Sequence, residues 1–185
     1  MAGEREHPNQ DVAIRHRLAG KQQPFAIFFG CADSRVAAEI IFDRGLGDLF
    51  VVRTAGHTVD SSVLGSMEFG VGVLGIPLIV ILGHDSCGAV NAAVDAMTSG
   101  DLPGGFVRDI VERVMPSVLA ASKHGEVGID QIEAEHVRQT AALVAQRSDL
   151  IADHIAAGSL GIIGATYNLR DGQAGVVTAI GIDVT

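Results

Sequence analysis

The sequence predicts an α/β protein built on a mainly parallel sheet, with one antiparallel strand at the sheet edge. Three observations predict it. Continuous apolar runs at 25–30 and 78–83 read as short strands buried on both faces. These runs alternate with longer stretches of helical periodicity, as parallel strands joined by crossovers do. The last two strand-like runs, 160–167 and 174–182, are separated only by the turn-rich segment 168–172, which reads as a hairpin and hence an antiparallel pair.

Taken in order, residues 1–22 are polar, helix-prone in part, and read as an N-terminal arm; residues 23–185 read as a single domain. Strand one covers 25–30. Helical character from Val36 to Asp43 stops at Gly45 and Gly47. Strand two, 48–53, ends at Ala55 and Gly56. Ser61 or Ser62 is placed to cap a helix running to about Leu74, with Gly75 as its stop and Pro77 opening strand three. A helix follows from Gly88 to about Met97, ended by Ser99 and Gly100. After the turn at 102–105, helical spacing resumes through Phe106, Ile110, Val111, Val114 and Leu119, with a kink expected at Pro116. One longer helical segment, 129–157, carries Ile132, Val137, Leu143, Val144, Leu150 and Ile155 on its apolar side.

Composition narrows the function. A chain of 185 residues can bury a sizeable core, and with aromatics at only 4% that core must come from Ala, Val, Ile and Leu. A net charge of −9 without a Lys/Arg cluster argues against nucleic acid as a partner. No apolar run approaches the roughly 20 residues of a membrane span, and residues 1–10 lack the apolar stretch of a signal peptide. A cytoplasmic location is expected, and there two cysteines read as ligands or catalysts before they read as a disulfide.

Both cysteines lie at strand endings. The first strand runs into Cys31-Ala32-Asp33-Ser34-Arg35, the third into His84-Asp85-Ser86-Cys87-Gly88. Ligands in open α/β sheets gather beyond the carboxyl ends of strands, so neighbouring strands one and three would bring Cys31 and His84 together. His84 and Cys87 are spaced to face one ion across a turn, and thiolate with imidazole is a donor set that suits zinc. Three protein ligands leave a fourth position, open to water or to Asp33. Arg35 is placed to pair bidentately with Asp33 and draw it off the metal. A closed, purely structural zinc is the competing reading.

Other polar residues lie outside that centre. His57, on the loop after strand two, reads as a solvated loop residue, with proton transfer as the alternative. His7, His16, His124, His136 and His154 sit in polar stretches and read as surface residues. Arg53 closes a Val-rich strand and calls for a carboxylate or anion partner, because an unpaired charge there would be costly.

The pair Cys31-x-Asp33-Ser34-Arg35 and His84-x-x-Cys87-Gly88 resembles the signature of the β-class carbonic anhydrases, and 51–56 (Val-Val-Arg-Thr-Ala-Gly) is similar to a stretch between that family's motifs. The resemblance implies four parallel strands plus one antiparallel, and a homodimer or dimer of dimers. It implies reversible hydration of carbon dioxide to bicarbonate, with one zinc ion per subunit on Cys31, His84 and Cys87. It also implies an Asp33–Arg35 dyad, with Asp33 a fourth ligand in a closed state. Gln22, Phe50, Phe69 and Gly88 fall at substrate-binding positions, Phe50 and Phe69 partly across the dimer interface. Arg53 and Tyr167 match two residues of a non-catalytic bicarbonate site, where Phe28 replaces its tryptophan; Phe69 stands where plant-like members carry tyrosine. The arm before the first strand is shorter than the helix that usually wraps the partner. Hydrolysis of an analogue such as carbonyl sulfide, or a non-catalytic zinc protein closed by Asp33, are the alternatives to the hydration reading.

Overall fold

The computed structural model describes residues 5–125 and 127–184. Five strands form one sheet in the order β2-β1-β3-β4-β5, with β1 Ala26–Cys31, β2 Leu49–Thr54, β3 Leu78–His84, β4 Gly161–Tyr167 and β5 Ala174–Ile180. The first four run parallel and β5 pairs antiparallel to β4, as the hairpin predicts. The register sets Cys31 opposite Thr54 on β2 and His84 opposite Tyr167 on β4. Both predicted ligands therefore finish central strands at the same end of the sheet.

The strands are apolar on both faces because helices cover both. On one face Phe28, Leu82 and Ala165 pack with Val90 and Ala93 of α4 (Gly88–Ser99) and with Val111, Val114 and Val118 of α5 (Val107–Ala121). On the other, Ile27, Phe29, Ile79, Ile81 and Ile162 pack with Val63 and Met67 of α3 (Ser61–Glu68). That cluster also takes in Val137, Ala141 and Val144 of α6 (Ile129–Arg147) and Ile151 of α7 (Asp149–Ala156). Small aliphatic side chains fill both layers, which answers the scarcity of aromatics. No helix among the described residues is long and apolar enough to cross a membrane.

Several elements depart from the sequence expectation. The cap of α3 is Asp60, whose carboxylate accepts from Val63 N at 2.9 Å, so Ser61 and Ser62 are its first helical residues. The helix then widens into a π turn at Phe69–Val73 and stops at Leu74 before Gly75, whose φ is +68°. Helical structure between Val36 and Asp43 contracts to the single turn of α2, Ala38–Ile41. The long segment 129–157 is two helices. Ser148, in extended conformation, ends α6 and caps α7, accepting from Ile151 N at 3.2 Å and donating to Glu68 Oε1 at 2.6 Å. The helix predicted through Phe106–Leu119 is α5, with Pro116 inside it. The arm contributes α1, Val12–Leu18, capped by Asp11.

Candidate metal centre

Three turns of chain close on one point above the sheet. Cys31 is the last residue of β1, His84 the last of β3, and Cys87 the residue that leads into α4. The link from β3 to α4 is only Asp85, Ser86 and Cys87, and Ser86 takes a φ of +55° to fold Cys87 back beside His84. All three side chains are buried, and their ligand atoms lie within 4.8 Å of one another. The Nδ1 atom of His84 is 2.7 Å from the Asp85 carbonyl, which can only accept, so the proton sits on Nδ1. Nε2 then presents a lone pair, and it is buried with no hydrogen-bond partner. Two thiols and a free imidazole nitrogen, aimed together and sealed from solvent, fit a soft divalent ion such as zinc.

Asp33 stands beside this cluster, held away from it. Its Oδ1 accepts from the Arg35 backbone N–H and from Arg35 Nε, each at 2.9 Å, and its Oδ2 accepts from Arg35 Nη2 at 2.6 Å. The same Oδ2 is 4.0 Å from His84 Nε2. Arg35 also donates to the Ser86 carbonyl at 3.3 Å, which ties the two motifs to each other. The guanidinium hydrogen bonds keep the Asp33 carboxyl well below the usual carboxylate range.

The thiols divide their protons unequally. Cys31 is drawn well below the ordinary thiol value, first by the hydrogen bond from Cys87 and then by backbone N–H groups at Asp33 and Gly56. Cys87, as the donor in that pair and deeply buried, is pushed up. Gly56 N lies 3.3 Å from Cys31 Sγ. The site thus already favours a thiolate at Cys31, the form that binds metal.

The carbonic anhydrase family profile matches residues 26–174. The solved β-carbonic anhydrase of Coccomyxa, in complex with acetazolamide, superposes with a TM-score of 0.80 at 26% identity, covering 90% of this chain and 78% of that one. The chain belongs to the β-carbonic anhydrase family. It is 60% identical over 174 residues to carbonic anhydrase 2 of Mycobacterium tuberculosis, covering 94% of this chain and 84% of that protein. It is 54% identical over 181 residues to the carbonic anhydrase of Mycolicibacterium smegmatis, covering 98% and 88%. As a β-carbonic anhydrase at this level of identity, the protein is an enzyme.

Other residues singled out from the sequence distribute unevenly in this β-carbonic anhydrase. Gly88 opens α4 next to Cys87. Phe50 and Phe69 do meet, with ring centroids 6.2 Å apart, but Phe50 is paired with Ile27, four residues before Cys31. At about 3.3 Å per residue that places the pair roughly 13 Å down the sheet from the candidate ligands of the same chain. Gln22 is exposed ahead of β1. In Arg53, Nε donates to the Cys31 carbonyl at 2.8 Å and Nη2 to the Asp33 carbonyl. These two bonds tie the end of β2 to the Cys31–Asp33 backbone. Tyr167 lies on β4, with β1 and β3 between it and Arg53 on β2. It lines a cavity of about 270 Å³ with Asp85, Asp130, Glu133, Asn168 and Gln173.

Two histidines overturn their solvated reading. His57 is fully buried, takes a φ of +39°, and has neither ring nitrogen hydrogen-bonded. His136 is also buried and lies against it, ring centroids 4.3 Å apart. Burial, followed for His57 by the neighbouring histidines, pushes both below the ordinary imidazole value, so both are neutral at pH 7. His124 has no described side chain. Glu133, given no role by the sequence reading, is buried, accepts from His84 N at 3.1 Å, and is raised by burial to about 7. A signal for it existed: Glu133, His136, Val137, Thr140, Ala141 and Val144 fall on one helical stripe, so two charged-type residues lie in phase with the apolar face.

Proposed function

We propose that this β-carbonic anhydrase holds one zinc ion per subunit on Cys31, His84 and Cys87 and catalyses the reversible hydration of carbon dioxide to bicarbonate and a proton. The observation that carries the reading is the convergence of three buried soft donors, one of them an imidazole nitrogen with a free lone pair, beside a carboxylate already engaged by Arg35. Zinc bound there supplies Lewis acidity, which in the three-histidine carbonic anhydrases brings the pKa of a coordinated water to about 7. Thiolate donors at Cys31 and Cys87 give the ion more negative charge than histidines would, which tempers that effect.

The chain's own groups supply orientation and traffic. Asp33 keeps an ionised carboxylate next to the ligands, placed to accept a hydrogen bond from the nucleophile and fix its direction of attack. Arg35 holds both oxygens of that carboxylate and keeps Asp33 from serving as a fourth ligand. With its side chain about half exposed, Arg35 also offers a cationic exit for a charged product. Uncharged substrate needs an apolar approach. Gln22, Phe50 and Phe69 are assigned to that cleft as contributions across a homodimer interface, because within one subunit the Phe50–Phe69 pair lies too far down the sheet. The exposed apolar side chains Val51, on the edge strand β2, and Phe69, which meets Phe50 of β2, support such a dimer. Two free thiols kept as ligands support a reducing, cytoplasmic location.

Metal analysis joined to stopped-flow carbon dioxide hydration tests the reading. One zinc per chain, with hydration abolished by a chelator and restored by zinc, is expected. Zinc-loaded protein that hydrates nothing at any pH would overturn it, and faster turnover of carbonyl sulfide would move the assignment to an analogue hydrolase.

A further inference from the structure

None of the three candidate ligands comes from α6, yet α6 reaches two of them. Glu133 Oε1 accepts the backbone N–H of His84 at 3.1 Å. One turn further along the same helix face, His136 Nε2 lies 2.8 Å from the Gly56 carbonyl, an acceptor only, so Nε2 donates. Gly56 in turn directs its own N–H at Cys31 Sγ, 3.3 Å away. The glycine is held in a left-handed conformation, φ +62°, and a Cβ there would sit 2.6 Å from Ala89 Cβ. The far side of the His136 ring is fixed as well, with Nδ1 at 2.9 Å from Ser117 Oγ on α5.

A buried carboxylate and a buried imidazole are costly in a helix face that otherwise packs on aliphatic side chains. Leucine would fill either position at lower desolvation cost. Their hydrogen bonds instead run to the backbone of one ligand and to the amide that faces the thiolate of another. We infer that α6 is the template of the metal centre, with Glu133 a positioning residue for His84 and His136 a positioning residue for Cys31 through the Gly56 peptide. The inference rests on the metal-binding reading above and goes beyond it, since it assigns the aim of the ligands to a helix outside both motifs.

Cobalt(II) titration of chelator-treated protein tests it, because a cobalt–thiolate charge-transfer band reports on the sulfur directly. Glu133→Gln and His136→Gln keep an acceptor and a donor at the required atoms and should match the parent in affinity and spectrum. Glu133→Leu and His136→Leu should bind cobalt about 10- to 100-fold more weakly, the usual effect of losing a partner that orients a ligand. His136→Leu should also shift the charge-transfer band. Leucine variants that fold and match the parent in both readouts would overturn the inference. Should they not fold, His136→Asn decides: its shorter amide stops short of Gly56, so weaker cobalt binding than His136→Gln is expected, and equal binding refutes the template. A parent chain that binds no cobalt would instead overturn the metal reading itself.

Discussion

Gly83 and Glu133 occupy the same small volume between β3 and α6: a Cβ built on Gly83 would collide with Glu133 Oε1 and stand 2.6 Å from Val137 Cγ2. The residue before His84, the proposed imidazole ligand, must therefore be glycine for α6 to lie where it does. Gly83→Ala is expected to destabilise the protein by about 1–3 kcal/mol, the range for overpacking a tight interior. It should also weaken metal binding, because the displaced carboxylate is the one that holds His84. Urea unfolding with a parallel zinc-competition assay checks both effects, and loss of stability without loss of affinity would separate packing from positioning.

Arg53 clamps two carbonyls that flank the Asp33 loop. Arg53→Met keeps the aliphatic stem and removes both donors. Hydrogen bonds to a charged group contribute about 1.5–3 kcal/mol each, so losing both is expected to cost about 3–6 kcal/mol in denaturant unfolding. Carbon dioxide hydration should fall as well, since the loop carries Asp33.

Arg35→Ala releases the Asp33 carboxylate next to His84 Nε2, 4.0 Å away. The variant should hydrate carbon dioxide about 10- to 100-fold more slowly while keeping its zinc. A crystal structure of this variant should show Asp33 turned towards the ligand cluster. Finding the carboxylate still withdrawn would refute the competition between Arg35 and the metal.

His57 gives the protein an acid-side weakness. Its folded pKa lies well below the ordinary 6.5, so the native state binds fewer protons than the unfolded chain as pH drops. The stability it contributes is complete above 6.5 and is lost as pH falls through the folded value. Glu133, raised to about 7, acts in the opposite sense, losing stability as pH rises through that value. Replacing His57 with Phe leaves Glu133, His136 and His84 in place and isolates the first effect. Between pH 7 and 5 the parent's unfolding free energy should fall more steeply than the variant's, by up to about 1.4 kcal/mol per pH unit for one whole proton. Parallel curves would show that His57 takes up its proton equally in the folded and unfolded chain, and would overturn the lowered folded value.

The strand endings were legible because they obey local rules. A short apolar run with glycine at its end states both a buried strand and the place where the next side chain emerges, so Cys31 and His84 could be placed before any contact was known. Cys87 followed from its spacing to His84. The positions of His57, His136 and Glu133 depend on which helix covers which end of the sheet, and polar neighbours in sequence disguise that. The α3 cap was misplaced for a related reason: Asp60, Ser61 and Ser62 can all cap a helix, and only the backbone shows Asp60 to be the one in extended conformation. The break at Ser148 was hidden because helical periodicity continues on both sides, while the bond from Ser148 to Glu68 crosses to another helix.

The pairing of Tyr167 with His84 across β4 and β3 has an optical consequence. The chain has no tryptophan and this single tyrosine, so its ultraviolet emission has one dominant source, buried at the end of the strand beside a candidate ligand. Whatever quenches or brightens that emission acts on the neighbourhood of the site, and the protein carries its own fluorophore for watching the centre fill and empty.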